Sequence, residues 1–322
     1  MANFYKNNSN ADASGALNYA IQDVALAKGL GRLRADLVVA RLITNYSNEA
    51  RAQGSRFAST VRVPKRGEVA TAAKTPGTAV TPGAAVMTKG EIVINKHRTW
   101  DILVEDYGSL FTGGTLLTDY LVDGASQIAE DIETDVITDV YTNASRLLGA
   151  PSSGMSVDRI RQVRKYSRQD KWSQTAPTYM VHGPEAEADL LAENLFVQAD
   201  QSGSTEALTN AFIGRKFGIQ HYTSNLMPVI AGSPGAEHAI AFQSESNGIA
   251  FIDMSDTDLP AEFRDTGVRK FAMNLTDDNG NPMYSLRMII GYSQLDRGHV
   301  LTVDSIYGVG SIRSTKAYDI LV

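Results

Sequence analysis

Residues 116–148, LLTDYLVDGASQIAEDIETDVITDVYTNASRLL, constrain the fold more than any other stretch. Apolar side chains recur at Leu117, Leu121, Ala125, Ile128, Ile132, Val136, Val140, Ala144 and Leu147. Steps of three and four mark one face of an α-helix. No proline interrupts the stretch, and Gly149-Ala150-Pro151 supplies a stop. At 1.5 Å per residue such a helix would run roughly 50 Å, far beyond the usual three turns. It predicts a backbone element to which the rest of the subunit attaches. The opposite face is acidic, with Asp119, Asp123, Glu130, Asp131, Glu133, Asp135 and Asp139 and no base before Arg146.

The chain around it has 322 residues, 43% hydrophobic and 20% charged, which allows two domains with real cores. A net charge of −6 argues against a dedicated nucleic-acid binder. The absence of cysteine excludes disulfides, thiol nucleophiles and thiolate zinc sites. The first residues, MANFYKNNSNADASG, lack the pattern of a secretory signal, and no apolar run is long enough to span a membrane.

Residues 1–15 are polar and predict a mobile arm unless a partner holds them. Two amphipathic segments, Ala16–Lys28 and Arg32–Tyr46, predict helices, either packed on the subunit or reaching a neighbour. Phe57–Val63 has strand composition. Residues 64–90 hold three prolines and four glycines with no aromatic, so they cannot supply a core. Glu91–Glu105 is a long strand with Ile92, Ile94, Trp100, Ile102 and Val104 on one face, interrupted by Lys96 and Arg98. Together these pieces predict a hairpin with a Pro/Gly-rich tip. Two-stranded ribbons are marginal alone, so it reads as a ribbon docked on another copy, or as a loose insertion.

Ser156–Arg168 predicts a helix capped by Ser156 and made basic by Arg159, Arg161, Arg164, Lys165 and Arg168. Its charges suit solvent, nucleic acid or the acidic helix, within or between subunits. Thr178–His182 predicts a strand and Gly183-Pro184 opens a helix to Leu191. Phe212–Met227 and Ala239–Asp253 each predict paired strands, making an α/β unit with a mostly antiparallel sheet. Lys270–Leu275, Asp277–Gly280 and Tyr284–Tyr292 predict a hairpin, and Val300–Tyr307 and Ser311–Val322 further strands.

Catalytic signatures are missing: there is no phosphate-binding loop, nucleophile elbow, dinucleotide fingerprint or zinc-binding His pair. His97, His182, His221, His238 and His299 show no ligand spacing and read as structural or surface residues. No catalytic residue, cofactor or metal is expected, and an assembly role is favoured over an enzyme.

The order of parts resembles the major capsid proteins of tailed bacteriophages of the Hong Kong 97 type, a plan shared by encapsulin shells. The residues that carry the resemblance are Ile94–Ile137, Gly214–Pro228 and Gly298–Ala317. It implies an α+β chain with a Hong Kong 97-type capsid fold: N-terminal arm (1–55), extended β-hairpin loop (56–98), peripheral domain with a long spine helix (99–155), axial domain (156–256) and a return to the peripheral β-sheet (257–322). It implies pentamers and hexamers tiling an icosahedral shell, in the virion, around double-stranded DNA bound without sequence specificity. A separate scaffolding protein, a portal and a decoration protein are the implied partners, with no membrane. Subunit contacts are expected at Arg62, Lys65, Arg66, Lys74 and Lys89 of the loop, while Asp131, Asp135, Arg161 and Arg164 of the spine and basic helices are expected at a subunit interface or in a structural role. No acceptor matches the loop lysines, so no covalent crosslink is expected. An encapsulin-type cargo shell and a soluble α/β enzyme are the alternatives.

Overall fold

The computed structural model describes residues 37–52, 59–66, 73–79, 87–105, 116–193, 214–230, 236–252, 269–276, 282–295 and 297–322. The expected polar arm (1–15) and the segment Ala16–Lys28 lie outside these residues.

The long helix, Leu116–Thr142, spans 27 residues, about 40 Å at the standard rise. Its stripe of Ala125, Ile128, Ile132, Val136 and Val140 is buried as the periodicity predicts. The helix stops one and a half turns before the apolar pattern does. Asn143 folds back on Asp139, donating from its side chain to the Asp139 carbonyl (3.0 Å) and carboxylate (2.9 Å). Ser145 then donates to the carbonyl of Ala317 (3.0 Å). Arg146–Gly149 becomes a strand paired in parallel with Ala317–Leu321 at the far end of the chain. That pairing is non-local and overrides the helical period. Leu147 consequently points out, 62% exposed.

Two sheets flank the helix. Short strands β1 (Thr44–Asn45) and β2 (Thr60–Arg66), long β3 (Met87–Glu105), and, after β4 (Arg146–Gly149), β5 (Thr178–His182), β6 (Arg215–Lys216), β7 (Ile219–Thr223), β8 (Val229–Ile230) and β9 (Ala236–Gln243) lead to β10 (Asn247–Phe251). β11 (Arg269–Thr276), β12 (Pro282–Ser293), β13 (Gly298–Ser311) and β14 (Ala317–Leu321) complete the set. Helices are α1 (Ser47–Ala52), α2 (Leu116–Thr142), α3 (Val157–Gln169) and α4 (Pro184–Ala192).

The first sheet is built on β13, which pairs with β3 for most of its length and with β12 and then β10 in succession. The second runs β4-β14-β9-β5-β7-β6, with β8 on β9 and most pairs antiparallel. One core joins α2 to both sheets through Leu286, Leu301 and Val303 on one side and Val181, Ile240 and Phe242 on the other. A second core lies under α3 and α4, where Ile160, Val163, Ala186 and Leu190 meet Met180, Ala239 and Tyr318. At Gly124 a Cβ would lie 2.6 Å from the Trp100 ring, so the helix backbone sits directly on β3.

Three expectations change. Ala239–Asp253 is not a strand pair: β9 belongs to the second sheet and β10 to the first. The chain crosses between the sheets there, held by Asn247 donating to Asp139 (2.6 Å). Ser156 stands at the start of α3 but its hydroxyl caps nothing; its carbonyl receives the N–H of Arg159 (3.0 Å). The described part of Arg32–Tyr46 is no α-helix. Val39–Arg41 is a 3-10 turn and Thr44–Asn45 a strand parallel to β10. Leu37, Val39, Ala40 and Ile43 enter the main core.

The cause of that turn is Glu133. It stands on the acidic stretch of α2, yet it is buried, and its carboxylate accepts the backbone N–H groups of Val39 (2.6 Å) and Ala40 (3.1 Å). Burial pushes this carboxyl up, against the pull of those N–H donors. Glu133→Ala leaves two buried donors without an acceptor, at about 1–3 kcal/mol each. Urea unfolding of the isolated subunit should therefore show a loss of roughly 2–6 kcal/mol, with Glu133→Gln intermediate. A loss under about 1 kcal/mol would contradict this anchoring role.

Candidate functional site

The hairpin of β2 and β3 runs from a packed root to an exposed end among the described residues. Its strands pair from Thr60 with Val93 to Arg66 with Met87. The root is packed: Val61, Ile92 and Ile94 share a small core with Ala50, Ala250 and Ile312. Gly308 of β13 meets the backbone at Val93 and Ile94 so closely that no side chain would fit. Past Gly90 the ribbon opens to solvent. Met87 is 67% exposed, and Thr88, Lys89 and Pro64 are exposed with it. Residues 73–79 are exposed throughout and hold a turn in which Thr78 donates to the Thr75 carbonyl and Gly77 takes φ +85.

The basic residues expected to act here are spread along the ribbon. Lys89 meets Glu91 at 2.6 Å and Arg62 meets the same carboxylate at 3.8 Å. The bond and charge of Lys89 hold Glu91 below the ordinary carboxylate range. Lys65 is half-buried, Arg66 closes β2, and Lys74 lies in the exposed turn.

Lys96 and Arg98, which interrupt the apolar face of β3, find their reason on α2. Lys96 reaches Asp135 at 2.9 Å, Arg98 reaches it at 3.0 Å, and the hydroxyl of Tyr307 donates to it at 2.6 Å. Arg98 also stands 3.9 Å from Asp131. Burial acts to raise the Asp135 carboxyl, but the bonds from Tyr307, Lys96 and Arg98 win and hold it low. Asp131 and Asp135 thus serve the seam between helix and ribbon strand inside the subunit. On the far side of β3, His97 contacts Asp304 (2.9 Å), which also accepts from Nε and Nη2 of Arg287.

The acidic helix is one of the partners that suit the basic helix, within or between subunits; within the subunit the described ion pairs of the basic helix run elsewhere. Arg161 pairs with Asp158 one turn back (2.8 Å). Arg164 lies against Gly218 in the β6–β7 turn. The helix packs on the far face of the second sheet, so the sheet separates it from α2.

Sequence spacing concealed the histidine contacts. His182 and His221 are adjacent on parallel β5 and β7, stacked at 5.0 Å with Nε2 of one 2.8 Å from Nδ1 of the other. One nitrogen must donate and the other accept, so both rings cannot be charged. Burial, and for His182 the neighbouring ring, pushes both imidazoles well below their ordinary value. His238 bonds Asp319 (2.8 Å) beneath the ring of Tyr141 at 4.3 Å. Among the described residues no group of three His, Cys, Asp or Glu could hold a metal ion, and no helix is long and apolar enough to cross a membrane.

No protein-family profile matches the chain, and no curated protein does. Solved structures do. A chain of Mycobacterium phage Che8 is 18% identical, with a TM-score of 0.61 over 88% of this chain and 90% of its own. A chain in the capsid structure of the cyanophage P-SCSP1u is 13% identical, with a TM-score of 0.59 over 82% and 83%. A chain of a virus-like particle from Pyrococcus furiosus is 9% identical, with a TM-score of 0.51 over 91% and 96%. The fold is that of phage major capsid proteins. At these identities the capsid fold is what is shared, while the side chains that line hairpin and helix are this chain's own.

The histidine pair makes a pH prediction. Folded-state values below the unfolded value near 6.5 give stability that is present above that pH and lost as pH falls beneath it. Each imidazole should contribute up to about 1.4 kcal/mol of loss per pH unit. Urea unfolding at pH 7.5, 6.5 and 5.5 should show a flatter acid slope for His182→Gln/His221→Gln than for the unmodified chain. Equal slopes would refute it.

Proposed function

We propose that this protein is the major capsid protein of a tailed phage, assembling as pentamers and hexamers into an icosahedral shell around double-stranded DNA. The observation that carries the reading is the exposed ribbon on a capsid fold: a seven-residue ladder whose outer half, at Pro64 and Met87–Lys89, is exposed among the described residues. Unpaired ribbon edges are liabilities unless something docks on them. A neighbouring copy would cover the β2–β3 tip, and many such modest contacts add by multivalency. On this reading α2 is the spine helix, the first sheet with α2 the peripheral domain, and the second sheet with α3 and α4 the axial domain. The axial unit then takes in β4 and β14 as well, beyond the span 156–256. Within the expected arm span 1–55, Leu37, Val39, Ala40 and Ile43 are built into the subunit core.

Scaffolding, portal and decoration partners belong to the same proposal. A net charge of −6 would limit adhesion between shell wall and packaged DNA. The likeness to a virus-like particle from Pyrococcus furiosus favours one second reading, a shell without a genome.

Negative-stain microscopy of the expressed chain, with and without co-expressed scaffold, decides between them. The capsid reading expects closed shells of uniform diameter, and nucleic acid inside them when packaging is reconstituted. Shells filled with protein cargo would favour the second reading. A small compact oligomer under every condition would overturn both.

A further inference from the structure

The second sheet carries opposite charges at its two ends. β5 and β7 run parallel, with Thr178 beside Ile219 and His182 beside Thr223. The β6–β7 turn therefore lies where β5 begins, and α4 starts where β5 ends. Five residues of strand separate the ends by about 17 Å.

The end at the β6–β7 turn is cationic. Arg164 and Arg168 of α3 and Arg215 of β6 crowd one another, and no described carboxylate pairs with any of the three. Burial, then the charges of Arg168 and Arg215, holds the Arg164 guanidinium below its ordinary value. Beside them Phe217 is 42% exposed in the turn, with the guanidinium of Arg161 6.0 Å above its ring. Phe217 is held at φ +52, a conformation bulky residues avoid.

The opposite end is acidic. Glu185, Glu187 and Asp189 lie on α4, which contains no base. Glu237 is buried beneath them, accepting the N–H of Ala186 (3.0 Å). Burial raises the Glu237 carboxyl, and the charges of Glu185 and Asp189 add to the rise. Glu187 and Asp189 accept bonds from Thr223 and from the Met155 N–H, and no described ion pair reaches α4.

We propose that the Arg164–Arg168–Arg215 end of one copy docks on the Glu185 end of α4 in the next copy. Like charges gathered at each end are destabilising in the lone subunit and are relieved together when copies meet head to tail. Such a contact is heterologous and closes into a ring when the rotation allows. The inference rests on the capsid reading and names the surface by which subunits of one ring recognise each other. It also replaces α2 with α4 as the acidic partner of the basic helix. DNA is disfavoured as the occupant because the complementary anionic surface is already part of every copy.

Charge reversal tests it. Arg168→Glu/Arg215→Glu gives subunits with two acidic ends, and Glu185→Lys/Glu187→Lys gives subunits with two basic ends. Each should fold, by circular dichroism, and each should lower particle yield at least tenfold in sedimentation and negative stain at 0.15 M salt. The fourfold variant carrying both reversals should restore yield to within about threefold of the unmodified chain. Normal particles from either double variant would overturn the inference alone, as would a fourfold variant no better than its parents. Normal particles that lose DNA retention in the arginine variant would make the patch a nucleic-acid surface instead. No particles from the unmodified chain would overturn the capsid reading and this inference with it.

Discussion

Burial of the α2 stripe between two sheets is the constraint on which the rest depends. Ile132, Val136 and Val140 are shared property, packed against strands of the first sheet on one side and of the second on the other. The core between the two sheets is closed by the helix, while the second sheet's other face packs under α3 and α4. The segment 37–43 fills the remaining flank, and it can do so because Glu133 supplies the acceptor its turning backbone needs. A buried carboxylate is tolerated there because backbone donors surround it. The same helix offers Asp135 to Lys96 and Arg98 and so fixes where β3, and therefore the ribbon, leaves the subunit.

The ribbon follows from this arrangement as a consequence of length. β3 spans 19 residues, far more than the typical strand, and pairs with β13 only from Ile94 onward. What extends past that point has β2 as its sole ladder partner among the described residues. Val61 and Ile92 anchor the root with Val63 packed beside them, and beyond lie Pro64, Thr88, Lys89 and the exposed Met87.

Much of this was legible in the chain. Ala125 to Val140 announced the helix by period, and Ile92 to Val104 announced the strand. The Pro/Gly-rich run between residues 64 and 90 announced that a hairpin would end without a core. Lys96 and Arg98 read as interruptions because their partner, Asp135, lies on another element. Glu133 read as one of a row of surface acids because nothing local marks the two N–H groups it satisfies. The strand Arg146–Gly149 was hidden inside a helical period, since its pairing with β14 spans the remainder of the chain. His182 and His221 likewise became neighbours only through parallel pairing. Local periodicity carried the elements; long-range pairing decided their ends and their polar contacts.

On the capsid reading, the outer ribbon completes itself on another copy. Hydrogen exchange of the β2–β3 amides, compared between isolated subunits and assembled particles, measures it directly. Residues 63–66 and 87–90 should exchange quickly in the isolated subunit while α2 stays protected, and their protection should rise at least a hundredfold on assembly. Equal protection in both states would mean that the ribbon is already satisfied on its own subunit, and the account would be wrong.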